Sequence, residues 1–162
     1  MIFLILFLLY ISLLYSRNHF HMDVKQFYIA MGKLLYAIAD ADSVITQQER
    51  EELYRLVSSR LTHRESHTDQ FGTNDAWYTV FEFEAAEDAG LTANEAFNEF
   101  ADFIHDNWRY MDSEFRDICM LLADRLAESY HHTNAREKEM IRRLRDLLYT
   151  VHVQPVNSVK IY

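Results

Sequence analysis

Glycine and proline are scarce in this 162-residue chain, which has three glycines and one proline. These residues supply many of the tight turns that a fold with many strands requires. Their scarcity argues against a β-sandwich or barrel and favours helices joined by few turns. The chain is also long enough to bury one hydrophobic core. The composition therefore predicts a single all-α domain.

Basic residues are outnumbered, with 16 Lys and Arg against 25 Asp and Glu, and the formal net charge is −9. Nucleic-acid binding depends on basic residues that neutralise phosphates, so nucleic acid is not an expected partner. A cation or a protein partner with a basic surface suits this charge better. Cys119 is the only cysteine and lies in an apolar run. A lone thiol in an apolar run is typical of a buried cysteine in a reducing compartment.

Residues 1–21 contain a nearly continuous apolar run from Met1 to Tyr15. The run lacks the basic start and the small-residue cleavage site of a signal peptide. It is also shorter than the ~20 apolar residues that cross a bilayer. Two interpretations stay open: residues 1–16 attach the domain to the inner face of a membrane, or the natural chain begins at Met22. A membrane is an expected partner only in the first case.

Apolar residues from Val24 onwards recur at steps of three and four, the spacing of helices with one buried face. The pattern predicts a compact bundle of about six helices over residues 22–150, followed by an extended C-terminal tail at 151–162. The residues predicted to face the core from the third helix are Trp77, Val80, Phe81 and Ala85.

The junction from Asp40 to Glu49 combines helix-capping residues with concentrated acid. Asp40 falls in the last turn of the first helix, where the negative end of the helix dipole makes an acid cost about 0.3–1 kcal/mol. A nearby cation, such as Lys33 or Lys138, would remove this cost. In a capping box, two side chains three residues apart satisfy backbone N–H groups at a helix start, as in T-x-x-E. This spacing is found here and at two later positions. The three predicted boxes are Thr46 with Glu49, Thr92 with Glu95, and Asn134 with Glu137.

An internal repeat relates the two ends of the predicted bundle. A shift of 88 residues places Glu128 on Asp40 and Glu137 on Glu49, and it aligns the apolar positions of the flanking helices. Self-similarity at a fixed shift indicates duplicated structural units. We therefore expect the bundle to be built from duplicated helical hairpins.

The residues from Leu35 to Glu49 resemble the turn of the bacterial tellurite-resistance TerB family, which has the form Ala-x-Ala-Asp-Gly-x-Ile-x-x-x-Glu. Ser43 stands where the family usually has glycine. The resemblance covers Met22 to Tyr149, and the segment from Ala123 to Leu144 echoes the motif. It implies a helical, cytoplasmic, stress-associated and non-catalytic module with acidic patches proposed to bind divalent cations.

A hard cation such as Ca²⁺ or Mg²⁺ prefers oxygen ligands, which carboxylates supply. The candidate metal ligands are Asp40, Asp42 and Glu49, with Glu128 as the repeat of Asp40. A purely structural role is the competing interpretation, because Glu49 also belongs to a capping box and Asp42 would be favoured by a helix start. The predicted function is non-enzymatic binding of a divalent cation or a basic protein partner through this loop.

Two alternative functions stay open from sequence. The first is a membrane-tethered helical adaptor that binds proteins without metal. The second is a di-iron enzyme, because acid and histidine pairs occur at the i, i+3 spacing used in di-iron helix bundles. Its ligands would be Asp102 with His105, Glu128 with His131, and two carboxylates from Glu52 and Glu84.

Overall fold

Six α-helices make up most of the residues that the computed structural model describes, which are 22–129 and 134–150. The predicted all-α bundle of about six helices is confirmed. The predictions for residues 1–21 and for the tail at 151–162 lie outside the described ranges. The helices are α1 (Val24–Ala39), α2 (Gln47–Leu56), α3 (Tyr78–Asp88), α4 (Ala93–Asn107), α5 (Ser113–Glu128) and α6 (Ala135–Tyr149).

Helix α1 lies at the centre of the bundle and packs against α3, α4, α5 and α6. Asp23 caps its start, with the carboxylate accepting from the backbone N–H of Lys25 at 3.0 Å. The periodicity predicts one buried face, but every residue from Leu34 to Ala39 is buried. A helix surrounded by others can be apolar on all sides, and this stretch is. The one-sided prediction is therefore wrong for the C-terminal half of α1.

Helix α3 faces the core with a different set of residues from the one predicted. Val80 is buried as expected, but Phe81 is 49% exposed and Ala85 is also exposed. Phe83 is fully buried instead, because α3 turns its Thr79–Phe83 face toward Gly32 of α1. Aromatic residues two positions apart lie on different faces of a helix, so the apolar pattern of α3 allows either orientation.

Cys119 lies fully buried on α5, as the sequence indicates. Burial raises the pKa of its thiol far above the usual range, so the reactive thiolate is not formed near neutral pH. The residue acts as a small apolar core side chain. None of the helices in the described ranges has the length and apolarity required to cross a bilayer.

Candidate functional site

The three predicted capping boxes are all present. Thr46 with Glu49 begins α2, Thr92 with Glu95 begins α4, and Asn134 with Glu137 begins α6. In each box the first side chain accepts from a backbone N–H of the first turn, and the glutamate accepts from the backbone N–H of the cap residue. The boxes at α2 and α6 are related by the 88-residue repeat. The second helix of each repeated hairpin therefore begins in the same way.

Asp40 accepts a hydrogen bond from a helix start, and the predicted partner Lys33 pairs elsewhere. It opens a short 3-10 turn after α1, and its Oδ2 accepts from the backbone N–H of Ala93 at 3.0 Å. Ala93 is the first residue of α4, where the positive end of the helix dipole favours an acid. The predicted partner Lys33 instead pairs with Glu82 and Glu99. Burial raises the pKa of Asp40, and the charges of Asp42 and Glu87 add to this rise. The hydrogen bond from Ala93 opposes the rise without cancelling it.

Asp42 joins the two repeated junctions. Its Oδ1 accepts from the backbone N–H of Val44 at 3.1 Å, and its Oδ2 accepts from Nδ2 of Asn134 at 2.9 Å. Ser43, which lies between Asp42 and Val44, adopts the left-handed conformation with a φ of 67°. It stands at the position where the TerB-like motif has glycine. The left-handed residue turns the chain directly after Asp42, whose side chain reaches the start of α6.

Glu49 and Glu137 are both buried beside this contact. Burial raises the pKa of Glu49, and the charge of Asp42 raises it further. Burial likewise raises the pKa of Glu137, with added repulsion from Glu49 and Asp42. We call Asp42, Glu49, Asn134 and Glu137 the cap cluster. The charge of Asp42 thus disfavours the ionised forms of Glu49 and Glu137, and each of the three carboxylates accepts hydrogen bonds.

The carboxylates of the cap cluster are occupied by hydrogen bonds from N–H groups of the chain. Within residues 22–129 and 134–150, no group of three or more His, Cys, Asp or Glu side chains is arranged to hold a metal ion. Glu128 lies apart from the cap cluster: it is exposed, 4.0 Å from Arg125, and it lines a shallow groove with Lys138. The structure thus brings Asp42 and Glu49 together, attaches Asp40 to α4, and places Glu128 in a basic setting.

The di-iron arrangement is not assembled among the described residues. Asp102 and His105 lie on an exposed face of α4, so they do not point into the bundle. Glu52 pairs with Arg55, and Glu84 accepts from the hydroxyl of Tyr54. The other predicted ligand pair includes His131, which lies outside the described residues. Inward-facing carboxylates are the defining feature of such a centre, and these carboxylates are used at the surface.

An acidic helical hairpin is a candidate binding surface that the sequence interpretation missed. No Lys or Arg occurs between Arg64 and Arg109, although this segment carries eleven acids. The rest of the chain is nearly balanced, with 16 basic residues and 14 acids. Counting charges by segment instead of over the whole chain would have found it. The eleven acids are Glu65, Asp69, Asp75, Glu82, Glu84, Glu87, Asp88, Glu95, Glu99, Asp102 and Asp106.

The helices α3 and α4, which we call the acidic hairpin, carry eight of these acids. On α4, Glu95, Glu99, Asp102 and Asp106 follow one another at steps of four, three and four, so they share one face. All four are exposed. Glu99 is bridged to α1 by Lys33, whereas Asp102 and Asp106 continue the stripe into solvent. The result is one acidic stripe along the surface of the bundle.

The fold and the site together define an acidic, all-α helical bundle with capped, repeated junctions. No protein-family model, no curated protein and no solved structure matches the chain. The resemblance to the TerB family therefore rests on the residues from Leu35 to Glu49 and on their repeat. The function has to be argued from the chemistry of the described surface.

Proposed function

We propose that this domain is a non-catalytic binding module whose acidic hairpin binds a basic segment of a protein partner. The observation that carries the proposal is the charge segregation: eleven acids and no Lys or Arg from residue 65 to residue 108. The exposed stripe on α4 presents part of this charge on one rigid helix. A basic segment laid along the stripe would meet several acids at once.

Physical chemistry favours a protein over other partners at this surface. A field of one sign attracts an oppositely charged partner and speeds its association, and salt screens the effect. Nucleic acid would be repelled by the same field. The resemblance to the TerB family extends the proposal to a stress-associated role in the cytoplasm.

A matched pair of double variants tests the position of this binding surface. Asp102→Asn with Asp106→Asn removes two charges from the stripe, whereas Glu139→Gln with Asp146→Asn removes two charges from α6, where both acids pair with Arg142. The probe is a fluorescent oligolysine peptide, and the readouts are its dissociation constant and the backbone amide shifts it causes. Exposed ion pairs contribute about 0.2–1 kcal/mol each, so the stripe variant should bind about fivefold more weakly.

The α6 variant is the control, since its net charge changes by the same amount. Binding should be close to that of the parent chain, and the amide shifts should map to the acidic hairpin. An equal loss in both double variants would mean that only net charge matters, which would refute a specific surface. Amide shifts spread evenly over all acids would lead to the same conclusion.

Binding of Ca²⁺ or Mg²⁺ at the loop from Asp40 to Glu49 is the second candidate function. The observation that favours it is the mutual repulsion within the cap cluster, which a bound cation would relieve. Binding would compete with the hydrogen bonds of Asp40 and Asp42. Calorimetric titration with each ion should give heat for the parent chain and none for Asp40→Asn with Asp42→Asn. Equal heats, or none from the parent, would contradict this candidate.

A further inference from the structure

A cavity of about 290 Å³ lies beside the first turns of α1 and α5, away from the cap cluster. Its floor is apolar, and Phe27 and Phe115 meet edge to face there at 4.8 Å between ring centroids. This volume is near the lower end of the range for small-molecule sites. The apolar side chains that line it are Val24, Phe27, Leu61, Phe115 and Ile118.

One wall of the cavity carries a buried carboxylate. The side chain of Glu65 is only 6% exposed, yet its Oε1 accepts from the backbone N–H of His67 at 2.6 Å and lies 2.8 Å from the ring Nδ1. Burial acts to raise the pKa of Glu65, but hydrogen bonds from His67 and Tyr28 outweigh it and the net pKa is lowered. Glu65 is therefore ionised at neutral pH. A carboxylate has about four acceptor positions, so capacity for a further donor remains.

The loop that carries Glu65 is held in place by the backbone around it. Helix α2 ends in a π-helical turn, Val57–Leu61, which the N–H of Thr62 closes onto the carbonyl of Val57 at 3.1 Å. Such wide turns are rare and often occur beside functional sites. The side chain of Asn74 then donates to the carbonyl of Glu65 at 2.8 Å. The carboxylate is thus part of a built wall.

The charges at the cavity leave a net negative site. Arg64 and Glu114 form an ion pair at the rim, with 2.9 Å between Nη1 and Oε1, and both side chains are exposed. The positive charge of Arg64 is matched by Glu114. Glu65 contacts the ring Nδ1 of His67, so with a neutral imidazole the side chains at the cavity carry two negative charges and one positive charge. A ligand that brings a cation and an apolar body would complement both the wall and the floor.

We propose that this cavity binds a small organic primary amine, with the ammonium group on Glu65 and the apolar body against Phe27 and Phe115. An ammonium donates up to three hydrogen bonds, and aromatic faces attract cations. An anionic ligand would be repelled by Glu65. A neutral ligand would fill the floor but would lack the charge-assisted bond, which is about twice as strong as a neutral one. The site is independent of the acidic hairpin.

Isosteric probes test the charge requirement on the unaltered chain. Phenethylammonium, 2-phenylethanol and phenylacetate have the same aromatic body with a positive, neutral or negative head. We expect phenethylammonium to bind with a dissociation constant on the order of 1 mM or tighter. We expect 2-phenylethanol to bind about tenfold or more weakly and phenylacetate not to bind. Backbone amide shifts should map to the cavity wall. No binding of the amine, or equal binding of amine and alcohol, would overturn the proposal.

A matched pair of variants locates the ammonium group. Glu65→Gln keeps an oxygen for the bonds from His67 and should weaken amine binding about 10- to 100-fold, with little effect on the alcohol. Glu139→Gln removes one exposed acid from α6 and should leave amine binding unchanged. An equal loss in both variants would overturn the assignment to Glu65. The last probe is Nα-acetyl-lysine amide, which keeps the side-chain ammonium group. If it binds more tightly than phenethylammonium, the site is assigned to a protein lysine and a small-molecule ligand is refuted.

Discussion

The close approach of α1 and α3 at Gly32 allows a sharp prediction about the packing that positions the acidic hairpin. A Cβ atom added at Gly32 would lie 2.5 Å from the backbone carbonyl oxygen of Thr79 and 2.8 Å from Cβ of Glu82. Both distances are far below van der Waals contact. Because the first obstacle is backbone, a side-chain rotation cannot relieve it, and Gly32→Ala must push the two helices apart.

The magnitude follows from two opposing effects. Alanine is favoured over glycine inside a helix by about 1 kcal/mol. Overpacking of a well-filled core costs about 1–3 kcal/mol, and occasionally more where backbone has to move. The contact with Thr79 is of the severe kind, so we expect a net loss of about 2 kcal/mol. For a chain of this size that corresponds to a melting temperature about 4–8 °C lower.

Urea unfolding followed by far-UV circular dichroism measures this loss. The matched control is Asn98, an exposed position inside α4, tested as both Gly and Ala. That pair gives the glycine-to-alanine difference without a clash, and alanine should be the more stable there. Gly32→Ala as stable as the parent chain, or more stable, would refute the close packing of α1 on α3.

Three further predictions concern the junction from Asp40 to Glu49. Ser43→Gly should stabilise the fold by about 0.5–1 kcal/mol in urea unfolding, because glycine adopts the left-handed conformation without strain. Asp40→Ala should cost about 0.5–2 kcal/mol by the same assay, since the backbone N–H of Ala93 loses its acceptor, while Asp40→Asn should recover most of this loss. Glu49→Gln should be more stable than the parent by about 1 kcal/mol at pH 7, because it removes a buried charge and keeps an oxygen for the capping bonds. That advantage should shrink as the pH falls, since the raised pKa of Glu49 means that the folded parent takes up a proton before the unfolded chain does.

Each of these predictions has an outcome that would contradict it. If Ser43→Gly were less stable than the parent, the Ser43 side chain would stabilise the fold by more than its left-handed conformation costs. Equal stability of Asp40→Ala and Asp40→Asn would show that the hydrogen bond from Ala93 to residue 40 does not stabilise the fold. An advantage of Glu49→Gln that stays constant from neutral pH to the usual carboxyl range would show that charge burial is not its cause.

The fold was largely predictable because its helix starts are encoded locally. A capping box involves side chains three residues apart, so its spacing is visible in the sequence, and all three predicted boxes are present. Gly90 likewise ends the α3 hairpin turn with a φ of 66°, as a glycine after a helix often does. Interactions confined to one turn of helix are the ones that a sequence pattern can predict.

The errors concern interactions between distant segments. The orientation of α3 depends on Gly32, which lies 47 residues before Thr79 and gives no signal in the apolar pattern of α3. The partner of Asp40 is a backbone N–H at Ala93, and backbone groups leave no trace in a sequence. The predicted partner Lys33 is taken by Glu82 and Glu99. Tertiary packing determines which of several possible partners a charged side chain meets. The periodicity of apolar residues does not predict this packing.

The acids differ in how many hydrogen bonds they already accept, and this difference determines which of them are available to bind a partner. Within the cap cluster, Glu49 and Glu137 accept from backbone N–H groups, and burial raises their pKa values. A protein ligand could not reach these two carboxylates without opening the fold. Asp102 and Asp106 stand in solvent on one face of a helix, where a partner gains their attraction at no cost in structure. Glu65 combines the two situations, because it is buried and hydrogen-bonded but also lines a cavity. We therefore expect a protein partner to bind the exposed acids of α4 and a small amine to bind Glu65, rather than the buried glutamates of the caps.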